Sequence, residues 1–236
     1  MSEHDQTGQS IQANNKSRAA VGCILAVAAA LATCGVLQAK HPFFTIPNQY
    51  SIGMGAPIEA RLALLAQQAR VDRLNASVAL AIGGALLSGV LAITAHGCCS
   101  LALRMLIAIP WGAILGATTG FVGVIAYTAI IPKEALPDTT SIGLAQAAAF
   151  AMLGTGLGML FGAFSRNLGK TAVAALVGGL AGAAGGIAFP IITGLVIPSQ
   201  STSDFEPAAS IVRCLWLGLP FAAIGSLLPC ASKRNA

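Results

Sequence analysis

Charge is scarce in this chain. Only 9% of its 236 residues are Asp, Glu, Lys or Arg, against about 25% in an ordinary soluble domain. A water-soluble fold covers its surface with such groups, so their scarcity excludes one. Aromatic residues are few as well, at 6%, and the net charge of +5 is not gathered into a basic stripe. Without rings to stack on bases or a run of Lys and Arg to follow a phosphate backbone, no nucleic acid partner is expected. Catalytic signals are also missing. No Ser or Cys nucleophile stands in a recognisable pattern with His and an acid, and no Gly-rich phosphate loop carries the Lys and Ser/Thr it needs. No carboxylate or histidine lies inside a long apolar run, which argues against a proton-driven pump. The chain is therefore expected not to be an enzyme and to carry no cofactor.

Cysteine is present but unhelpful as a framework. Cys23, Cys34, Cys98, Cys99, Cys214 and Cys230 fall in or beside apolar runs. None of the spacings is that of a zinc site or of a small disulfide-stapled fold. His96-Gly97-Cys98-Cys99 is the one cluster of soft ligands. One His and two adjacent Cys do not complete a tetrahedral site, so no metal is expected. The competing readings there are a lipidation site or a plain helix end.

What the chain does have is apolar length: 56% of it is hydrophobic. Six runs are long enough to cross about 30 Å of hydrocarbon as helices, at approximately 19–38, 76–95, 105–131, 142–163, 171–197 and 208–230. Lipid offers no partner to a free peptide group, so each run is read as helical. The expected fold is all-α: a polytopic membrane bundle of about six transmembrane helices over 19–230, with an N-terminal tail at 1–18 and a C-terminal tail at 231–236. Leu31-Ala32-Thr33-Cys34 loosely resembles a lipoprotein cleavage box. The Thr before the Cys and the long polar leader favour an uncleaved anchor.

Lys and Arg placement orients the spans. With both tails cytoplasmic, Lys16, Arg18, Arg104, Arg166, Lys170, Lys233 and Arg234 are inside, and Lys40, Arg61, Arg70, Arg73 and Lys133 are outside. The expected location is the inner membrane if the source is bacterial. The outer loop 39–75 begins irregularly at His41-Pro42-Phe43-Phe44. From Pro57 a helix is predicted, because Pro and Glu59 suit a first turn and Ile58, Leu62, Leu65 and Ala69 recur at helical spacing. That helix either lies in the interface or extends the second span. No turn residue separates it from the span, which favours extension.

The sequence also aligns with itself. A shift of 66 residues lays Gly112, Gly116 and Gly120 on Gly178, Gly182 and Gly186, Pro132 on Pro198 and Asp138 on Asp204. A shift of 90 lays Gly22-Cys23-Ile24-Leu25-Ala26 on Gly112-Ala113-Ile114-Leu115-Gly116. Three parallel two-helix repeats about a threefold axis are the simplest account; chance alignment of Gly- and Ala-rich spans is the alternative. Gly112, Gly116 and Gly120, Gly154, Gly158 and Gly162, and Gly178, Gly182 and Gly186 each repeat every fourth residue and so flatten one helix face. Such grooves let helices approach closely in lipid, where apolar burial cannot drive pairing. Pro110, Pro190 and Pro220 fall in or near spans. Pro110 is expected in the first turns of its helix, and Gly185-Gly186 before Pro190 makes the fifth span the one expected to bend or break.

Polar residues near the outer ends of the second, fourth and sixth spans are the candidate site: Asn75, Gln146 and Arg213. A shift of 67 aligns Gln146 with Arg213, and the three would ring an outer mouth whose cation favours anions. The alternatives for Arg213 are snorkelling to the headgroups and a structural ion pair with Asp204 or Glu206. Functionally, the leading expectation is a structural or accessory membrane protein, in a homo-oligomer or larger membrane assembly within the lipid bilayer. The alternative is a channel or facilitator for a small solute or anion.

Overall fold

The computed structural model describes residues 3–47, 57–95, 100–131, 138–198 and 204–231, with side chains from Ser17 onward. Six helices account for all its regular structure, with no strand among the described residues: α1 (Glu3–Lys40), α2 (Ile58–Thr94), α3 (Leu101–Ile130), α4 (Thr139–Ala163), α5 (Leu168–Val196) and α6 (Ser210–Ala231). Each contains a stretch long and apolar enough to cross a membrane. The chain is thus a multi-pass, six-helix membrane bundle. His96-Gly97-Cys98-Cys99, Pro132, Lys133, Glu134, Lys233 and Arg234 lie outside the described residues, as does the side chain of Lys16.

Local chemistry sets the helix starts. The side chains of Ser100, Asp138 and Asn167 accept hydrogen bonds from the backbone N–H groups of Leu103, Ser141 and Lys170, capping α3, α4 and α5. α2 begins directly after Pro57 and runs unbroken to Thr94. The segment after the proline is therefore an extension of the second span. At about 1.5 Å per residue, α2 is far longer than a bilayer core is thick. α4 turns into α5 within a few residues, where Arg166 takes a positive φ of 52°.

Proline behaves differently from the expectation. α3 starts at Leu101, which puts Pro110 well inside the helix, beyond the first turns. α5 continues as helix through Gly185, Gly186 and Pro190, so of the expected bend or break the break does not occur. Packing against α4 and α6 holds that stretch: the backbone at Gly186 lies against Gln146 and Ala147, and that at Gly185 against Pro220.

The helices form a closed ring in chain order, α6 meeting α1. The most extensive contacts are α2 with α3, α4 with α5, and α6 with α1. α2, α4 and α6 also touch one another across the centre, whereas α1, α3 and α5 do not. Large fully buried side chains mostly follow this division, with Leu37 on α1 and Phe189 on α5 as exceptions. Leu80, Leu87, Phe150, Leu153, Leu157, Trp216, Leu217, Phe221, Ile224 and Leu228 all come from the inner three helices and fill the axis. The outer helices instead expose Ile24, Leu106, Ile114, Leu176 and Leu180, the surface that lipid requires.

Backbone approach is closest where side chains are missing. A β-carbon on Gly84 would overlap the carbonyl of Gly112, and one on Gly116 or Gly120 the carbonyl of Leu80 or Ala76. Gly154 and Gly178 stand in the same relation, as do Gly158 with Ala174 and Gly182 with Phe150; Gly162 lies against the backbone of Thr171. Gly22 meets Gly225. These pairs run antiparallel, so the ends of α1, α3 and α5 gather at one end of the bundle.

Two predictions follow from these contacts. Gly178→Val forces α4 and α5 apart and lowers stability by about 2 kcal/mol or more. Gly218→Ala, at an open position on α6, leaves the unfolding midpoint within a degree or two of wild type. Thermal unfolding in one detergent checks both. Asp138 gives a pH signature. The Ser141 hydroxyl and backbone N–H bond its carboxylate and hold it below the usual carboxylate range. Its contribution is full above the unfolded-state value of about 3.9 and is lost as pH falls through the lower folded value. Asp138→Asn, which still caps the helix, should flatten that part of a midpoint-against-pH curve.

Candidate functional site

At the end where α1 runs into α2 and α5 into α6, the connecting segments fold back onto the bundle, and three side chains hold them. Asn75 on α2 is 7% exposed. Its amide oxygen accepts from the Phe44 N–H at 2.9 Å and its amide nitrogen donates to the Phe44 carbonyl at 3.0 Å. One side chain thereby pairs both polar groups of one residue in the α1–α2 connection. Gln146 on α4, fully buried, donates to the Phe205 carbonyl at 2.9 Å and accepts from the Trp216 indole N–H at 3.0 Å. Arg213 on α6 is 5% exposed, so it does not snorkel into the open. Its guanidinium donates to the carbonyls of Pro207 and Ala208 at 3.1 and 3.3 Å.

Arg213 also belongs to an ionic cluster. Its Nε lies 3.4 Å from Glu206 Oε1, and His41 Nε2 lies 3.0 Å from the same oxygen. Arg213 Nη2 is 3.3 Å from His41 Nδ1. Of the two acidic partners open to Arg213, the structure selects Glu206. The imidazole thus stands between the guanidinium and the carboxylate. His41 therefore ties the end of α1 to the α5–α6 connection.

Beside this cluster lies a cavity of about 370 Å³, lined by His41, Asp72, Asn75, Tyr127, Asp204 and Glu206 among others. Phe205 forms its floor. The ring packs edge-on to Tyr127 and to Trp216, each with centroids 5.8 Å away, and Trp216 packs on Phe150 at 5.7 Å. Gly123 leaves the space into which the Phe205 ring fits. This aromatic column plugs the bundle below the cavity.

Asn75, Gln146 and Arg213 thus reach the same end but do not line one cavity. Asn75 faces the main one. Gln146 lies beneath its floor, bonded to Phe205. Arg213 lines a neighbouring hollow of about 380 Å³ with His41 and Gln38. The sign of the main cavity also differs from what Arg213 alone implied. Among the described residues its lining carries three carboxylates and no Lys or Arg. His41 and Phe205 were missed as site residues because each enters through the folding-back of a connection, and Asp72 because it sits on the extension of α2; Glu206 was expected only as an ion-pair alternative for Arg213. The one local signal was Asp204-Phe205-Glu206-Pro207, an aromatic between two acids just before a span. No group of three or more metal-ligating side chains occurs among the described residues.

Comparison of the chain with protein families, with curated proteins and with solved structures finds no match in any of the three.

The cluster makes a sharp energetic prediction. Glu206→Ala leaves Arg213 buried without its counter-charge and should cost about 3 kcal/mol. The double variant Glu206→Ala with Arg213→Met should recover part of that loss. Unfolding midpoints of the two single variants and the double variant give the coupling.

Proposed function

We propose that the chain is a non-enzymatic membrane protein with a structural or accessory role, acting through its surfaces within a homo-oligomer or larger membrane assembly. The observation that carries this reading is the filled axis. The inner helices meet along it, Phe205 and Trp216 plug its polar end, and the candidate polar side chains are spent on the chain's own connections. A solute-conducting bundle needs a path lined by groups free to meet the solute.

The architecture is read as three copies of a two-helix unit: α1–α2, α3–α4 and α5–α6. Support comes from equivalent seams. The second helix of each unit packs on the first helix of the next, and at each seam glycine meets glycine: Gly84 with Gly112, Gly154 with Gly178, Gly225 with Gly22. One turn before the glycine on the second helix stand Leu80, Phe150 and Phe221, all buried. In that register Arg213 corresponds to Ile142 and Asp72, one helical turn from the alignment that pairs it with Gln146. The polar anchors of the units are therefore divergent rather than copied. The excess of Lys and Arg at the other end of the bundle supports cytoplasmic N- and C-termini, with the cavity on the outer side.

A second reading, a facilitator for a small solute, is favoured by the cavity itself. Its carboxylates suit a cationic solute rather than an anionic one. Reconstituted liposomes separate the two. The structural reading expects Na⁺, K⁺, Cl⁻ and small neutral solutes to cross no faster than in protein-free vesicles. Rapid cation flux that falls when Asp72 and Asp204 are both changed to Asn would replace it with the second reading.

A further inference from the structure

The seam between α1 and α6 closes the ring and joins the first span to the last. Gly22 and Gly225 set its register. From that pair toward the cavity end, Ala26, Ala30, Cys34 and Leu37 follow at helical spacing along α1, all buried. Phe221, Leu217 and Cys214 return along α6. About three turns from the glycines on each helix, this antiparallel register sets Cys34 opposite Cys214. Both are free thiols, and they are near enough to interact electrostatically. Gly22 and Gly225 bring the two backbones into contact at the far end of the seam, and Cys214 packs against the buried cluster that contains Cys34; a disulfide requires Cα atoms within about 7 Å. Cys34 is 6% exposed. Cys214 is more open and lines an apolar hollow of about 390 Å³ between α1, α6 and the end of α5. That hollow is a route for a lipid-soluble reagent.

We infer that Cys34 and Cys214 are a modification site: a dithiol that closes reversibly into a disulfide stapling α1 to α6, with an apolar disulfide as oxidant. The Cys214 thiolate attacks the reagent disulfide, forms a mixed disulfide and releases one reagent thiol. Cys34 then attacks the Cys214 sulfur, the protein disulfide forms, and the second reagent thiol leaves. The protein loses two hydrogens and two electrons, and the reagent gains both. The bridge encloses nearly the whole bundle in one covalent loop, and long loops restrict the unfolded chain most in the entropic account of cross-links. It also lies one residue from Arg213, so it fixes the footing of the cluster that holds the α5–α6 connection.

The test treats the full-length protein in lipid nanodiscs with dithiodipyridine, followed by intact mass and peptide mapping. The expected product is lighter by two hydrogens, links the Cys34 and Cys214 peptides, unfolds several degrees higher and reverts with dithiothreitol. A variant with Cys23, Cys98, Cys99 and Cys230 changed to Ser should give the same link. The inference is overturned if Cys34 and Cys214 stay unmodified, carry separate thiopyridyl adducts, or link to other cysteines. The wild-type map decides this even if the variant does not fold.

Discussion

Inside hydrocarbon a helix gains nothing by burying leucine against another helix, because lipid is as apolar as leucine. What remains is close packing, and close packing is limited by how near two backbones can come. The structure depends on that limit. Where α2 meets α3, α4 meets α5 and α6 meets α1, the side chain that would hold the helices apart is absent from at least one partner. The three close seams pair each inner helix with an outer one. The inner helices carry the large side chains that fill the axis, and the outer helices carry the leucines and isoleucines that meet lipid. Glycine placement thus decides which helices pair, and size placement decides which side of each pair faces inward.

A second constraint acts where the chain leaves its helices. Peptide groups of a connection lying against an apolar bundle need partners that neither lipid nor leucine supplies. Asn75, Gln146 and Arg213 supply them, each from a different inner helix and each to backbone atoms of a connection. Arg213 brings a charge with it, and the charge is met by Glu206, whose carboxylate also lies beside His41. The polar cluster is therefore explained by backbone satisfaction first. The cavity is the space left beside the folded-back connections.

The sequence made the spans legible because nearly uncharged runs of about 20 residues are stable only as membrane helices. It made the extension of α2 legible because Pro57 and the spacing of Ile58, Leu62 and Leu65 are local signals. It did not reveal which polar residues meet. Gln146 and Arg213 align at one shift of the sequence, yet the glycine contacts place them a turn apart. Gly- and Ala-rich helices match at several shifts, and only three-dimensional packing distinguishes among them. Phe205 was invisible for a different reason. A lone aromatic in a polar connection has no periodicity, and its place is made by Gly123 on a helix more than eighty positions earlier. The unbroken course of α5 through Gly185, Gly186 and Pro190 is also tertiary, since neighbouring helices hold a stretch that local propensity would release.

The sign of the cavity shows why one intramembrane arginine is a poor guide to a ligand. Arg213 is buried, but its guanidinium is committed to two carbonyls, a carboxylate and an imidazole nitrogen. The groups left facing the main cavity are Asp72, Asp204 and the remaining surface of Glu206. For that acidic cup to lead anywhere, Phe205 would have to leave its niche. Its ring is held against Tyr127 and Trp216 while its carbonyl is held by Gln146, whose other end bonds Trp216. Moving the plug breaks the hydrogen bond and both ring contacts together, and it strands a buried amide as well. An opening of that kind needs a large differential affinity for the open state, and the cup alone offers a few exposed carboxylates to provide it. A bundle held in this way is rigid at its centre, and its rim and lipid-facing sides are the surfaces it leaves free.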